Sequence, residues 1–327
     1  MRITVVGTGS VGLRHLGNLA ALGVEHLTAV SEHGRKDHVT VGGRNIPVLH
    51  DYGLALAGDC DAVFICNPTV LHLDYLRRAV AAGKHVYLEK PAALSAEGVA
   101  GLAAEAERRG LTVAVGHQFR FNPLLLALKE RVGSLGLLLD VAAMQGEHLA
   151  DYHPDEDYRL GYAARSELGG GVLLTQIHQI DYLNWIFGPF RSVYAVGGRR
   201  GPLEIDVEDT VSYLLERADG TPVHGHLDYL QRPKRVALSV AGAQGRLDWD
   251  YFAGTLAFTP ARAGAEPELR HEPLDRNAMF LGIVGDFLEA VRDRRPPRST
   301  LADAATDLVI VDAIKRSAAE HRAVLLI

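Results

Sequence analysis

The 327-residue sequence predicts an α/β chain in two parts: a doubly wound parallel sheet over residues 1–120, then an α+β domain over 121–327 with a mostly antiparallel sheet. Three observations predict this. Short β-branched runs alternate with helical periodicity up to about residue 120. Beyond that point the runs alternate polar and apolar residues and are joined by turns. The length also exceeds what one hydrophobic core ordinarily serves.

The first five runs fall at 3–6, 26–30, 62–66, 86–88 and 112–115. A helical segment extends to Leu22 with Leu13, Leu16 and Ala20 on one face, and residues between the second and third runs read as loop. A second helix carries Leu73, Leu76 and Val80 on one face and stops at Gly83, and a third follows Ser95. Strand, helix and strand in repetition imply a parallel sheet covered on both faces. Later strands are predicted at 137–144, 192–196, 210–215, 223–229, 235–240 and 245–249. One helix, 171–187, interrupts them. Two more, 280–294 and 301–322, are split by Pro296-Pro297, the last able to pack back on the first domain.

Composition excludes some classes of partner. The chain is 47% hydrophobic and 23% charged, with net charge -6 and no block of like charges, which disfavours nucleic acid and anionic membrane. The opening apolar run ends at Val6, too short for a signal-peptide core or a membrane span, so the expected location is the cytoplasm. Cys60 and Cys66 lack metal-ligand spacing and read as reduced thiols in or near the core. His224 and His226 share a strand face but have no evident third ligand, so no metal is expected.

The segment Gly7-Thr8-Gly9-Ser10-Val11-Gly12 is G-x-G-x-x-G, directly after a predicted strand and opening a helix. In that context Gly7 permits a tight turn, Gly9 lets the backbone approach a pyrophosphate, and Gly12 lets helix and strand pack closely. This is the dinucleotide signature of a Rossmann domain. Glu32, after the second strand, is the acid expected to accept the adenosine ribose hydroxyls, and it favours NAD over NADP. The basic character of His33, Arg35 and Lys36 leaves NADP open.

Two further strand tips point the same way as the glycine loop: Cys66-Asn67-Pro68, leading to His72, and Glu89-Lys90-Pro91. In an open parallel sheet, ligands sit outside the carboxyl ends of the strands, so Cys66, Asn67, Pro68, His72, Glu89 and Lys90 are expected to flank the nicotinamide. Lys90, fixed between a carboxylate and a proline, is placed to polarise a substrate oxygen.

These motifs resemble the Gfo/Idh/MocA family of nicotinamide-dependent oxidoreductases, Glu89-Lys90-Pro91 most specifically. Arg120-Phe121-Asn122-Pro123, Gly169-Gly170-Gly171 and Asp286-Phe287-Leu288 are similar to other landmarks of that family. The resemblance implies a second domain on a large open sheet whose face makes a homodimer or homotetramer, a sugar or polyol substrate, and Lys90 beside the reacting carbon.

The segment after the triple glycine is expected to be one helix placing Thr175 and His178 on a common face. In the family, the corresponding helix presents an Asp and a His to the substrate hydroxyl. His178 matches the His, whereas Thr175 stands nearest the Asp and cannot act as a base near neutral pH. Proton handling therefore falls to His178. Arg120, Tyr158 and Arg159 are expected on the substrate side, with Arg159 suited to a carboxylate or phosphate.

The leading expectation is hydride transfer between NAD(P) and a carbinol carbon of a sugar, sugar nucleotide or polyol. The alternatives are a hydrolase or epimerase that oxidises its substrate transiently, and a non-catalytic dinucleotide-gated regulatory protein.

Overall fold

The structure, a computed structural model, describes residues 1–34 and 36–326. Arg35, one of the residues bearing on NADP, lies outside them. The chain forms two compact units: Met1–Gln118 with Arg276–Ala305, and Phe119–Asp275 with Thr306 onward.

The first unit is built on a seven-stranded sheet in the order β3-β4-β2-β1-β5-β6-β7. Its elements are β1 (Arg2–Val6), α1 (Ser10–Ala21), β2 (His26–Val30), β3 (His38–Val41), β4 (Arg44–Leu49), α2 (Tyr52–Ala57), β5 (Ala62–Ile65), α3 (Thr69–Ala81), β6 (His85–Leu88), α4 (Val99–Arg108) and β7 (Val113–Val115). All adjacent pairs are parallel except β3 with β4. β5 is buried at all four positions, as a strand covered on both faces must be. The helix Arg276–Asp293 packs on α1, where the Arg14 guanidinium lies 4.7 Å from the centre of the Phe280 ring.

The stretch expected as loop between β2 and β5 is instead the hairpin β3–β4 followed by α2. Gly42 and Gly43 both take positive φ, 56° and 76°, the turn that joins two adjacent antiparallel strands. Asp51 then caps α2 by accepting the Leu54 N–H.

The second unit holds a nine-stranded sheet in the order β15-β14-β13-β12-β8-β11-β10-β9-β16. The six predicted strands are β8 (Leu138–Gly146), β9 (Phe190–Gly198), β10 (Thr210–Arg217), β11 (Pro222–Asp228), β12 (Arg235–Gly242) and β13 (Gly245–Asp250). Sequence reasoning missed β14 (Thr255–Pro260), β15 (Glu268–His271) and β16 (Val324–Leu325). Every adjacent pair is antiparallel except β8 with β11. Buried and less buried positions alternate along β10 and β12, so one face carries the core.

Helices of this unit include α5 (Pro123–Arg131), α6 (Val172–Thr175) and α7 (His178–Phe187), the last two carrying Thr175 and His178. The single helix predicted over 171–187 is thus two, interrupted at Gln176 and Ile177. Among the described residues, no helix is long and apolar enough to cross a membrane.

Candidate functional site

The glycine loop follows β1 and ends on α1. Gly7 adopts φ 96°, and a Cβ there would stand 2.8 Å from the Cys66 carbonyl oxygen. A Cβ on Gly12 would collide with the Gly7 carbonyl, 2.9 Å from its carbon. Both glycines therefore serve close packing of backbone on backbone. Gly9 differs, because a Cβ added there would meet nothing within 4 Å. Gly9 is also the N-cap of α1, and no side chain caps the helix. The first-turn amides, those of Ser10 and Val11 included, thus open beside unfilled space, an arrangement suited to a phosphate. Thr8 steadies the loop, its hydroxyl 3.3 Å from that of Ser31 just past β2.

Glu32 stands two residues beyond β2. Its Oε1 accepts the Tyr52 main-chain N–H at 3.2 Å, and Oε2 accepts the Tyr75 hydroxyl. Burial and then the bond to Glu32 push the Tyr75 hydroxyl up to about 12, so it remains a donor near neutral pH. Tyr75 is stacked on Tyr52 with ring centres 4.5 Å apart, and the Arg78 guanidinium covers the Tyr52 ring. The carboxylate is oriented by these partners, and its remaining lone pairs can accept ribose hydroxyls.

The second wall is assembled from the tips of β5 and β6. His72, 1% exposed, has both ring nitrogens 2.8 Å from carbonyl oxygens, Nδ1 from that of Pro91 and Nε2 from that of Asn67. It braces the two tips against each other, its polar atoms engaged by the backbone. Glu89 is buried too. Its Oε1 lies 2.7 Å from His15 Nε2, and Oε2 accepts the Lys90 main-chain N–H at 3.3 Å. Glu89 therefore supports the wall from within the unit, and nothing in the sequence beyond a helical His15 signalled that pairing.

The Asn67 side-chain amide is shielded from water, and neither its oxygen nor its nitrogen has a partner among the described residues. Such a group ordinarily has one, so Asn67 fits a polar ligand. Pro68 is exposed beside it, at the start of α3. Burial, and then the Glu89 charge, push the Cys66 thiol up, so the thiolate is disfavoured.

In the second unit, Gly169 and Gly171 take φ 84° and 104°. A Cβ on Gly170 would stand 2.7 Å from the Ala163 carbonyl oxygen, and one on Gly171 would run into the Glu208 carboxylate. The triple glycine thus admits neighbouring chain. Glu208, absent from the sequence expectations, accepts the Leu173 N–H at 3.3 Å at the start of α6, and burial pushes its carboxyl up.

Thr175 and His178 are both 6% exposed. The interruption after Thr175 separates them onto two helices, so a common helical face is corrected. Thr175 sits against the Tyr229 phenol, while His178 stacks on Phe119 with ring centres 5.0 Å apart and planes 15° apart. Nearby, the Gln176 amide donates to the Tyr152 hydroxyl at 2.8 Å.

Arg120 forms a buried ion pair. It is 1% exposed, and its Nε and Nη2 donate to Asp181 Oδ1 at 2.9 and 2.7 Å. Arg159 is exposed. It borders an open cavity of about 560 Å³ with Arg165, Arg199, Glu204 and Asp206, but its guanidinium is engaged by Asp157 and Glu204 of its own chain. Tyr158 accepts the Glu204 N–H at 3.3 Å. His224 and His226 each face a carboxylate, Asp140 and Asp228, at 3.0 Å.

A mostly parallel sheet whose glycine turn delivers an uncapped helix N-terminus, with an acid after the next strand, defines a dinucleotide-binding protein. Residues 1–117 match the model described as an oxidoreductase family with an NAD-binding Rossmann fold, and residues 128–248 match the GFO/IDH/MocA C-terminal domain. The chain belongs to the Gfo/Idh/MocA family of oxidoreductases, and its first domain is that family's NAD-binding Rossmann domain. Among curated relatives, the rhizopine catabolism protein MocA of Rhizobium meliloti is 26% identical over 323 residues, 95% of this chain and 93% of that protein. The myo-inositol 2-dehydrogenase of Thermotoga maritima is 26% identical over 344 residues, 100% of this chain and 98% of that protein. Among solved structures, GenD2 from gentamicin A biosynthesis in complex with NAD is 27% identical with a TM-score of 0.82, covering 99% of this chain and 96% of that one. Levoglucosan dehydrogenase in complex with NADH, 19% identical with a TM-score of 0.86 over 100% of this chain and 99% of that one, shares the fold.

Proposed function

We propose that this oxidoreductase interconverts a carbinol and a carbonyl on a sugar or polyol, with Lys90 polarising the substrate oxygen and His178 moving the hydroxyl proton. The observation that carries this reading is Lys90. It leaves the carboxyl end of β6, the edge of the parallel sheet where β1 delivers the glycine loop, and Glu89 holds its backbone. When bound, the nicotinamide supplies or accepts the hydride.

The residues of this chain divide the remaining work. Gly7, Thr8, Gly9, Ser10, Val11 and Gly12 form the pyrophosphate cradle, Glu32 orients the ribose, and Cys66, Asn67 and Pro68 wall the nicotinamide end. An ammonium aimed at the substrate oxygen favours the alkoxide-like charge that grows as the carbon is oxidised. The imidazole of His178 accepts that hydroxyl proton and returns it in reduction. Thr175, whose hydroxyl cannot act as a base near neutral pH, accepts no proton. Named activities of relatives, on inositol, D-xylose and levoglucosan, support the substrate class.

The test is a panel of aldoses, uronates, inositols and nucleotide sugars, scored by absorbance of reduced cofactor with NAD and NADP in parallel. Wild-type turnover on at least one polyol is expected, together with its loss in His178→Ala. A His178→Ala rate equal to wild type would remove His178 from the mechanism. We further propose a cytoplasmic homo-oligomer formed through the open sheet face, where Tyr194, Val196 and Leu214 are exposed, to be checked by light scattering.

A further inference from the structure

One fully buried titratable side chain of the first unit is not used by the reaction. His15 lies on α1 three residues beyond Gly12 and is fully buried. Its ring is boxed by Phe64, Tyr87 and Phe280, with centres at 5.6, 4.9 and 5.9 Å. Its Nε2 lies 2.7 Å from Glu89 Oε1, while Nδ1 is buried with no hydrogen-bond partner among the described residues.

The direction of that bond follows from charge. Burial works to raise the Glu89 carboxyl, but the His15 hydrogen bond, then the charges of His15, Lys90 and His72, outweigh it and hold the group below its ordinary value. An ionised carboxylate only accepts, so Nε2 carries the proton and donates. The carboxylate lies close against the Gly116 backbone, where an added Cβ would stand 3.2 Å from both of its oxygens. The Tyr87 hydroxyl, at 3.5 Å, is too distant to take over from His15. Oε2 in turn receives the Lys90 main-chain N–H.

We propose that His15 is a positioning residue for Lys90: it locks the Glu89 carboxylate, which holds the Lys90 backbone, and so ties the helix opening at the glycine loop to the lysine at the tip of β6. The inference deepens the function proposed above and rests on its reading of Lys90. Without the His15 donor, a buried carboxylate must shift or take a proton, and either changes the position and the field of Lys90.

The test compares His15→Leu, which removes the donor, with His15→Gln, whose amide N–H reaches about as far as Nε2. Three readouts are taken on the full chain: kcat, NAD affinity by titration, and the pH midpoint for labelling of Lys90 by an amine-reactive reagent in cofactor-free protein. In His15→Leu, kcat is expected to fall about tenfold or more with NAD affinity little changed, as when a supporting hydrogen bond is removed from a reactive group. The labelling midpoint of Lys90 is expected to move, and His15→Gln to recover most of both effects. The proposal is overturned if His15→Gln is no better than His15→Leu, or if labelling is unmoved and the loss tracks melting temperature or NAD affinity. Lys90→Met separates the two readings. If it keeps the wild-type rate, the role given to Lys90 in the reaction is wrong, while a moved labelling midpoint in His15→Leu still sustains the tie between His15 and Lys90.

Discussion

Gly9 and Gly12 belong to the same motif, yet alanine at each should fail in opposite ways. At Gly12 the added methyl meets the Gly7 carbonyl, backbone that cannot rotate aside, so α1 must lift from the loop. Overpacking of that kind costs about 1–3 kcal/mol, and with about 2–4 °C per kcal/mol the melting temperature should drop by roughly 2–12 °C. At Gly9 the backbone sits at φ -75° and ψ -174°, open to any residue, and the methyl meets nothing within 4 Å. The small gain from a less flexible unfolded chain is offset by a poorer N-cap, leaving stability within about 0.5 kcal/mol of wild type. That same space is where a pyrophosphate must approach, so NAD affinity should fall at least about tenfold, or about 1.4 kcal/mol. Thermal melts without cofactor, paired with NAD titrations, measure both quantities. Gly9→Ala protein that binds NAD like wild type, or that melts as low as Gly12→Ala, would refute the assignment of the void to phosphate.

Arg120→Ala leaves Asp181 charged and buried, so denaturant melts should show a loss of about 3–5 kcal/mol, with much of it recovered when Asp181 is also made apolar. Burial raises the folded-state pKa of Glu208 above its unfolded value, so its penalty is absent well below the unfolded value and grows as pH rises towards the folded one. Glu208→Gln should therefore gain in melting temperature relative to wild type at pH 7 compared with pH 4, and a gap independent of pH would contradict this. Tyr75→Phe removes a donor that orients Glu32, and NAD affinity should fall about twofold to tenfold in a titration, the worth of one hydrogen bond.

Features set by short-range pattern were readable from the chain. The buried runs of β1, β5 and β6 are continuous because both faces of a parallel sheet are covered, and β8 to β13 alternate because one face is covered. The hairpin β3–β4 was missed although Gly42-Gly43 announces its turn, because its first flank, His-Val-Thr-Val, is short and nowhere fully buried and its second, Arg-Asn-Ile-Pro-Val-Leu, carries Pro47, which argues against a strand. β15 is exposed at every position, so no hydrophobic period marks it. The break between α6 and α7 falls at Gln176 and Ile177, with neither proline nor glycine to signal it.

The sequence by itself determined the glycine turn between β1 and α1, the place of Glu32 beyond β2 and the exit of Lys90 at the tip of β6. Each of these depends on residues close along the chain and on their period. Only the tertiary structure decided which candidates are spent on the protein itself. Arg120 finds Asp181 across 61 residues, and Glu89 finds His15 across 74. A buried charge must have a partner, but the requirement says nothing about where in the sequence that partner lies.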